Sequence, residues 1–309
     1  MEKRSLIKFG KNSYVVSLPK NWVAANKLEK GSTIYLEQKP ASITITGQQT
    51  IQKERKAKIH CEGKTIDDIE NELIACYKAG FTTIILEGRN IQHQAAPIKQ
   101  LLQNLFGMEV IEHTFTRIVV KDLVDMQQLT VPTLVRRMDL MIRSMLDDAT
   151  EEGASTETII ERDIEVNRIE YLLARIVRRV LDNPSLGNLI GLGVVDAYHM
   201  NRVAWTLERL GDYIKYVSSV SCEPEGDVQH ATAFLAELKK RYIDVMRTYY
   251  SKDAEQAIIQ HGQLKMEIAK LDKQRSKTCN PLIIENIKNA LRDLRVILRV
   301  TVEASHAEE

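Results

Sequence analysis

The chain has 309 residues, 44% of them hydrophobic and 28% charged, with a net charge of +1. That length suits two domains, or three if one is very small, and the composition is that of an ordinary soluble globular chain. The four cysteines (Cys61, Cys76, Cys222 and Cys279) are far apart and include no C-x-x-C pair, so neither a zinc site nor a disulfide framework is expected and a reducing compartment fits. The opening Met-Glu-Lys-Arg lacks secretory character, and no stretch approaches the roughly 20 apolar residues of a membrane span, so a cytoplasmic location is expected.

Charge is unevenly distributed. Residues 1–48 carry eight Lys/Arg and three acids, a net +5 that leaves the remainder at −4. A basic end of this kind points to a charged partner. Within it, Ser5–Phe9 and Tyr14–Leu18 read as short strands around a Gly10-Lys11-Asn12-Ser13 turn. Pro19 opens a short helix over Lys20–Asn26, and strands follow at Ile34–Glu37 and Ser42–Thr46. So small a piece rarely buries enough core to stand alone, and is expected to dimerise or to pack on its neighbours.

Residues 53–122 alternate strand and helix. Lys58–Glu62 and Thr82–Glu87 read as strands, with a helix between them that Thr65 caps and Gly80 ends. A helix over Gln94–Phe106 precedes strands at Glu109–Glu112 and Thr116–Val120, which together imply a small α/β domain. It contains no G-x-G-x-x-G and no P-loop, and Gly88-Arg89-Asn90 reads as a turn or, less simply, an anion-holding loop.

From 127 to 304 the apolar residues recur at steps of three and four. Six stripes result, among them Val131 to Ala149, Val166 to Val180 and Ile284 to Leu298. The breaks fall near Gly153, Pro184, Pro224 and Asn280-Pro281. Six helices with short connections make a bundle, with a three-plus-three division near Pro224. The fold class expected is therefore multidomain α+β: a β head (1–48), a small α/β middle domain (53–122) and a six-helix bundle (127–304).

Two segments carry a family resemblance. Arg4-Ser5-Leu6-Ile7-Lys8-Phe9-Gly10, Tyr14-Val15-Val16-Ser17-Leu18-Pro19-Lys20-Asn21-Trp22 and Lys30-Gly31-Ser32 resemble the AbrB/SpoVT swapped-hairpin family. That resemblance implies an intertwined homodimer whose basic face sits on DNA. Leu207-Glu208-Arg209-Leu210-Gly211-Asp212-Tyr213-Ile214 resembles the signature of the PhoU family, and Arg162 to Arg168 resembles its upstream acidic element, with Asn167 in place of the second acid. In the second half of the bundle, Arg292 and Val296 stand where that family's carboxylates would be. The order of the two resemblances is similar to that of archaeal phosphate-uptake regulators.

The resemblances imply a DNA-binding transcriptional regulator linked to phosphate homeostasis. The alternative is a PhoU-type adaptor that docks on a phosphate transporter or sensor kinase and uses the head only to dimerise. Arg4, Lys8, Lys11, Asn12 and Lys20 are the expected DNA contacts: cations neutralise backbone phosphates, and Arg or Asn can read base edges. Glu208 and Asp212 lie four apart on one helix face. With Asp163 they could supply oxygen ligands to a divalent or ferric ion, as the PhoU resemblance implies; an ion-paired helix surface would look the same. No catalytic constellation is present: the carboxylates have no evident pocket, and the seven histidines include neither H-x-x-x-H nor H-E-x-x-H. His199 and His261 fall on apolar stripes and read as core histidines.

Overall fold

The computed structural model describes residues 2–39, 42–47, 54–89, 91–124, 130–151, 156–220, 225–273 and 280–306. The chain is mixed α+β and divides into two compact units, Met1–Glu54 and Arg55–Glu309. Asn90 and the breaks expected at Gly153 and Pro224 lie outside the described residues.

The first unit is two hairpins and a short helix. Strands β1 (Ile7–Phe9) and β2 (Ser13–Val15) pair antiparallel, with Ile7 opposite Val15 and Phe9 opposite Ser13. The three residues between them turn through Gly10, whose φ of 67° lies in the left-handed region that glycine enters freely. Helix α1 (Lys20–Ala25) follows. Pro19 takes the capping position, one residue before the helical position expected of it. Strands β3 (Tyr35–Lys39) and β4 (Ser42–Thr46) form the second hairpin.

The second unit begins with a four-stranded sheet of order β5-β6-β8-β7. Strands β5 (Lys56–His60) and β6 (Thr83–Glu87) are parallel, joined by the crossover helix α2 (Ile66–Lys78). Strand β6 reads Thr-Ile-Ile-Leu-Glu, a β-branched run suited to a central strand. Thr65 and Asp68 close a reciprocal capping box at the start of α2. A 3-10 turn (Ile91–Gln94) leads into α3 (Ala95–Leu102), shorter than the helix expected to reach Phe106. Strands β7 (Met108–His113) and β8 (Arg117–Asp122) complete the sheet, β8 lying antiparallel to both of its neighbours. Ile59, Ile69, Leu73, Ile84 and Val120 are the centre of its core.

Each of the six apolar stripes lies on a helix: α4 (Val131–Asp148), α5 (Thr156–Asp182), α7 (Val194–Val220), α8 (Glu225–Ser251), α9 (Ala254–Lys273) and α10 (Pro281–His306). A short helix, α6 (Pro184–Leu189), connects α5 to α7. Helices α4, α5 and α7 pack on one another, α10 packs on α8 and α9, and α7·α10 and α4·α8 contacts join the two triplets. One apolar core runs through all of them.

The sheet and the helices form a single unit because α5 is bonded to both. Arg175 donates to Asp122 at the end of β8 (2.5 Å) and to the carbonyl of Tyr77 (2.7 Å). Arg179 reaches the same Asp122 carboxylate at 3.3 Å. The side chains of Arg175 and Asp122 are 1% and 3% exposed. Arg55 bonds Asp182, and Lys78 bonds Glu170, extending the seam in both directions.

Candidate functional site

In the first unit, Arg4, Lys8, Lys11, Asn12 and Lys20 are all solvent-exposed. Lys11 and Asn12 occupy the tip of the first hairpin, Lys8 stands opposite Tyr14 within it, and Lys20 begins α1. Arg4 has an acidic neighbour, Glu2, at 2.5 Å. An exposed pair of this kind holds its partners by at most about 1 kcal/mol. The unit also presents apolar side chains to solvent on both hairpins: Ile7, Phe9, Tyr14, Leu36 and Ile43 are exposed, Phe9 to 70%.

The second candidate lies between α5 and α7. Asp163 is buried, and its Oδ2 accepts from the Lys215 ammonium at 2.5 Å. The same ammonium donates to Asp212 at 2.7 Å. Asp163 can lie this close because Gly211 faces it; a Cβ there would stand 3.2 Å from Asp163 Oδ1 and 3.4 Å from Ile142. Burial raises the Asp163 pKa against the lowering effect of Lys215. The other Asp163 oxygen is buried without a hydrogen-bond partner.

Glu208 stands apart from this trio of groups. Burial, then Asp212 and Glu170, push its pKa up to about 7, and Lys78 opposes them. The nearby arginines of α7 have other partners. Arg202 pairs with Glu303 of α10, while Arg209 stacks on Trp205 (4.7 Å) and pairs with Asp293 of α10 at 3.2 Å. Among the described residues Glu208 forms no ion pair, whereas Asp212 on the same face is paired with Lys215.

These residues do not fit the divalent or ferric ion that the resemblance implies. Asp163 and Asp212 meet through Lys215, whose ammonium already supplies the positive charge between them, and Glu208 takes no part in those bonds. Among the described residues no group of three or more His, Cys, Asp or Glu side chains is placed to hold a metal. Spacing pairs Glu208 with Asp212 and the resemblance adds Asp163, but neither points to the lysine. Its only sequence signal was the Asp212–Lys215 interval of three, which places both on one helix face.

Two carboxylates of α10 are directed at α7: Glu303, which meets Arg202, and, one residue beyond Arg292, Asp293. Asp293 is buried, and desolvation raises its pKa against Arg209. His199 is buried beside Glu303 at 3.7 Å. His261 is only half-buried and accepts a hydrogen bond from Arg299 at 3.2 Å, so it is not a core residue. No helix among the described residues is long and apolar enough to cross a membrane. No protein-family model, curated protein or solved structure matches the chain.

Proposed function

We propose that this chain is a cytoplasmic, non-catalytic transcription regulator tied to phosphate homeostasis, in which the first unit binds DNA as a homodimer. The observation that carries the reading is the concentration of charge: +5 on residues 1–48 against −4 on the rest, with Arg4, Lys8, Lys11, Asn12 and Lys20 all exposed. Two copies bring +10 to a polyanion, and counterion release from neutralised phosphates then dominates affinity.

The exposed apolar side chains on the same unit support the homodimer. An isolated two-stranded hairpin is marginal in water, and this unit leaves Ile7, Phe9, Leu36 and Ile43 uncovered. A second copy offers the same faces in return, as a two-fold interface requires. The AbrB/SpoVT and PhoU resemblances supply the regulatory context, and the helical region is the part that would receive the signal. Charge reversal tests the basic face. Arg4→Glu with Lys11→Glu abolishes DNA binding in a mobility-shift assay while circular dichroism is unchanged; undiminished binding in that folded variant overturns the assignment.

A second reading, a protein-docking adaptor for a transporter or sensor kinase, is favoured by one feature of α7. Tyr198 and Trp205 are about half exposed, and Arg202 and Arg209 stack on them at 5.5 Å and 4.7 Å. Tyr, Trp and Arg are the residues enriched where protein partners bind most tightly. Under that reading the charge-reversed head leaves function intact, and Trp205→Ala abolishes it.

A further inference from the structure

Arginines of the helical region typically have a carboxylate partner: Arg143 with Asp139, Arg175 with Asp122, Arg202 with Glu303, Arg209 with Asp293, Arg292 with Glu285. Two arginines of α10 break the pattern. The Arg295 Nε is buried and has no hydrogen-bond partner. Arg299 donates its Nε to the ring Nε2 of His261, on the adjoining helix α9, rather than to an acid. Lys265 lies one turn along α9 from His261, as Arg299 lies one turn along α10 from Arg295, so the residues form two i, i+4 pairs on neighbouring helices.

The local field is that of uncompensated positive charge. Burial, Arg295, Arg299 and Lys265 together lower the His261 pKa, and burial with Arg299 lowers that of Arg295. A cavity of about 300 Å³ opens beside His261 and Arg299, with Ile258, Leu298 and Val302 in its wall; Arg295 and Lys265 lie outside its lining, one helical turn from Arg299 and His261. Glu303 lines the same cavity, but its carboxylate is held by Arg202 of α7. Among the described residues no acid bonds Arg295, Arg299 or Lys265.

We propose that Arg295 and Arg299 of α10, with His261 and Lys265 of α9, form a binding site for a phosphoryl dianion, free or carried on a peptide. Guanidinium groups meet phosphate oxygens through parallel N–H donors, a geometry that a point-charge ammonium cannot reproduce. Three formal positive charges match a dianion better than a singly charged carboxylate. Arg295, one turn along α10 from Arg299, adds positive charge behind the site; its Nε is buried and makes no direct contact with the anion. The site lies in the second unit and stands or falls independently of DNA binding by the first.

The test reads His261 directly. Its ring resonances are followed by NMR in the full-length protein, assigned by comparison with His261→Gln, through pH titrations at constant ionic strength. A bound dianion raises the ring's titration midpoint by about half a pH unit or more, as an opposite charge at close range does. A rise with inorganic phosphate identifies the free ion. A rise only with a phosphoserine peptide, absent with its unphosphorylated counterpart, identifies a peptide-borne group. Arg295→Gln with Arg299→Gln, and separately Lys265→Gln, weaken the response about tenfold or more, the loss expected for one charge-assisted bond. A midpoint unmoved by either phosphate source, an equal rise with acetate or chloride, or a full response in the double variant overturns the proposal.

Discussion

Lys215 shows how one side chain decides the chemistry of a seam. Asp163 is buried, and its contact with the Lys215 ammonium keeps an isolated charge out of the interior. Lys215→Met removes that partner and leaves the carboxylate desolvated, costing about 1–3 kcal/mol in urea denaturation. Asp163→Asn in the same background restores part of the loss, because both charges are then gone. An unchanged denaturation midpoint in Lys215→Met contradicts this account. Glu208 gives a second expectation, with the opposite sense of charge. Its pKa rises from an ordinary 4.5 to about 7, so the folded state holds a proton that the unfolded chain has released. Its contribution to stability is complete below pH 4.5 and is lost as pH rises to 7 and above. Glu208→Gln therefore melts higher than the parent at pH 8 and alongside it near pH 4.5. The difference at pH 8 is on the order of 1 kcal/mol after allowance for the side chain's partial solvent access. A parent that is more stable at pH 8 than the variant contradicts the assignment.

Elements were far more legible in the sequence than the partnerships between them. Strand β6 and helix α2 follow from a β-branched run, a Thr65 cap and a closing Gly80, all local signals. The six helical stripes follow from periodicity, which registers burial without naming the partner. What the sequence concealed is chemistry across distance. Asp163 and Lys215 are 52 residues apart, and Asp122 and Arg175 are 53 apart. The position of Asp293 was obscured for a different reason. Motif spacing directed attention to Arg292 and Val296, whereas a shift of one residue, about 100° around the helix, places Asp293 against Arg209. The buried seam between β8 and α5 is testable at this scale. Asp122→Asn leaves Arg175 buried beside an uncharged partner, and breaking a buried pair by removing one member costs about 3–5 kcal/mol. Equilibrium unfolding of that variant reports the loss, and a cost below about 1 kcal/mol, the value for a surface pair, contradicts the role given to the seam.

At the scale of the whole molecule, charge divides between the two units, +5 on residues 1–48 against −4 on the rest. The basic unit of residues 1–54 carries the proposed grip on DNA, and the larger unit carries buried ion pairs, arginines stacked on Tyr198 and Trp205, and the proposed anion site. The central claim is that the first unit binds DNA through its phosphates. The most direct measurement is fluorescence anisotropy of a labelled DNA duplex against the full-length protein and against residues 55–309, over a series of salt concentrations. The account predicts binding by the full-length protein alone. Log affinity should fall linearly with log salt by several units, about 0.9 for each phosphate contacted. Equal binding by both chains, or no salt-dependent binding by either, contradicts it and leaves the docking face of α7 as the better guide to what this protein does.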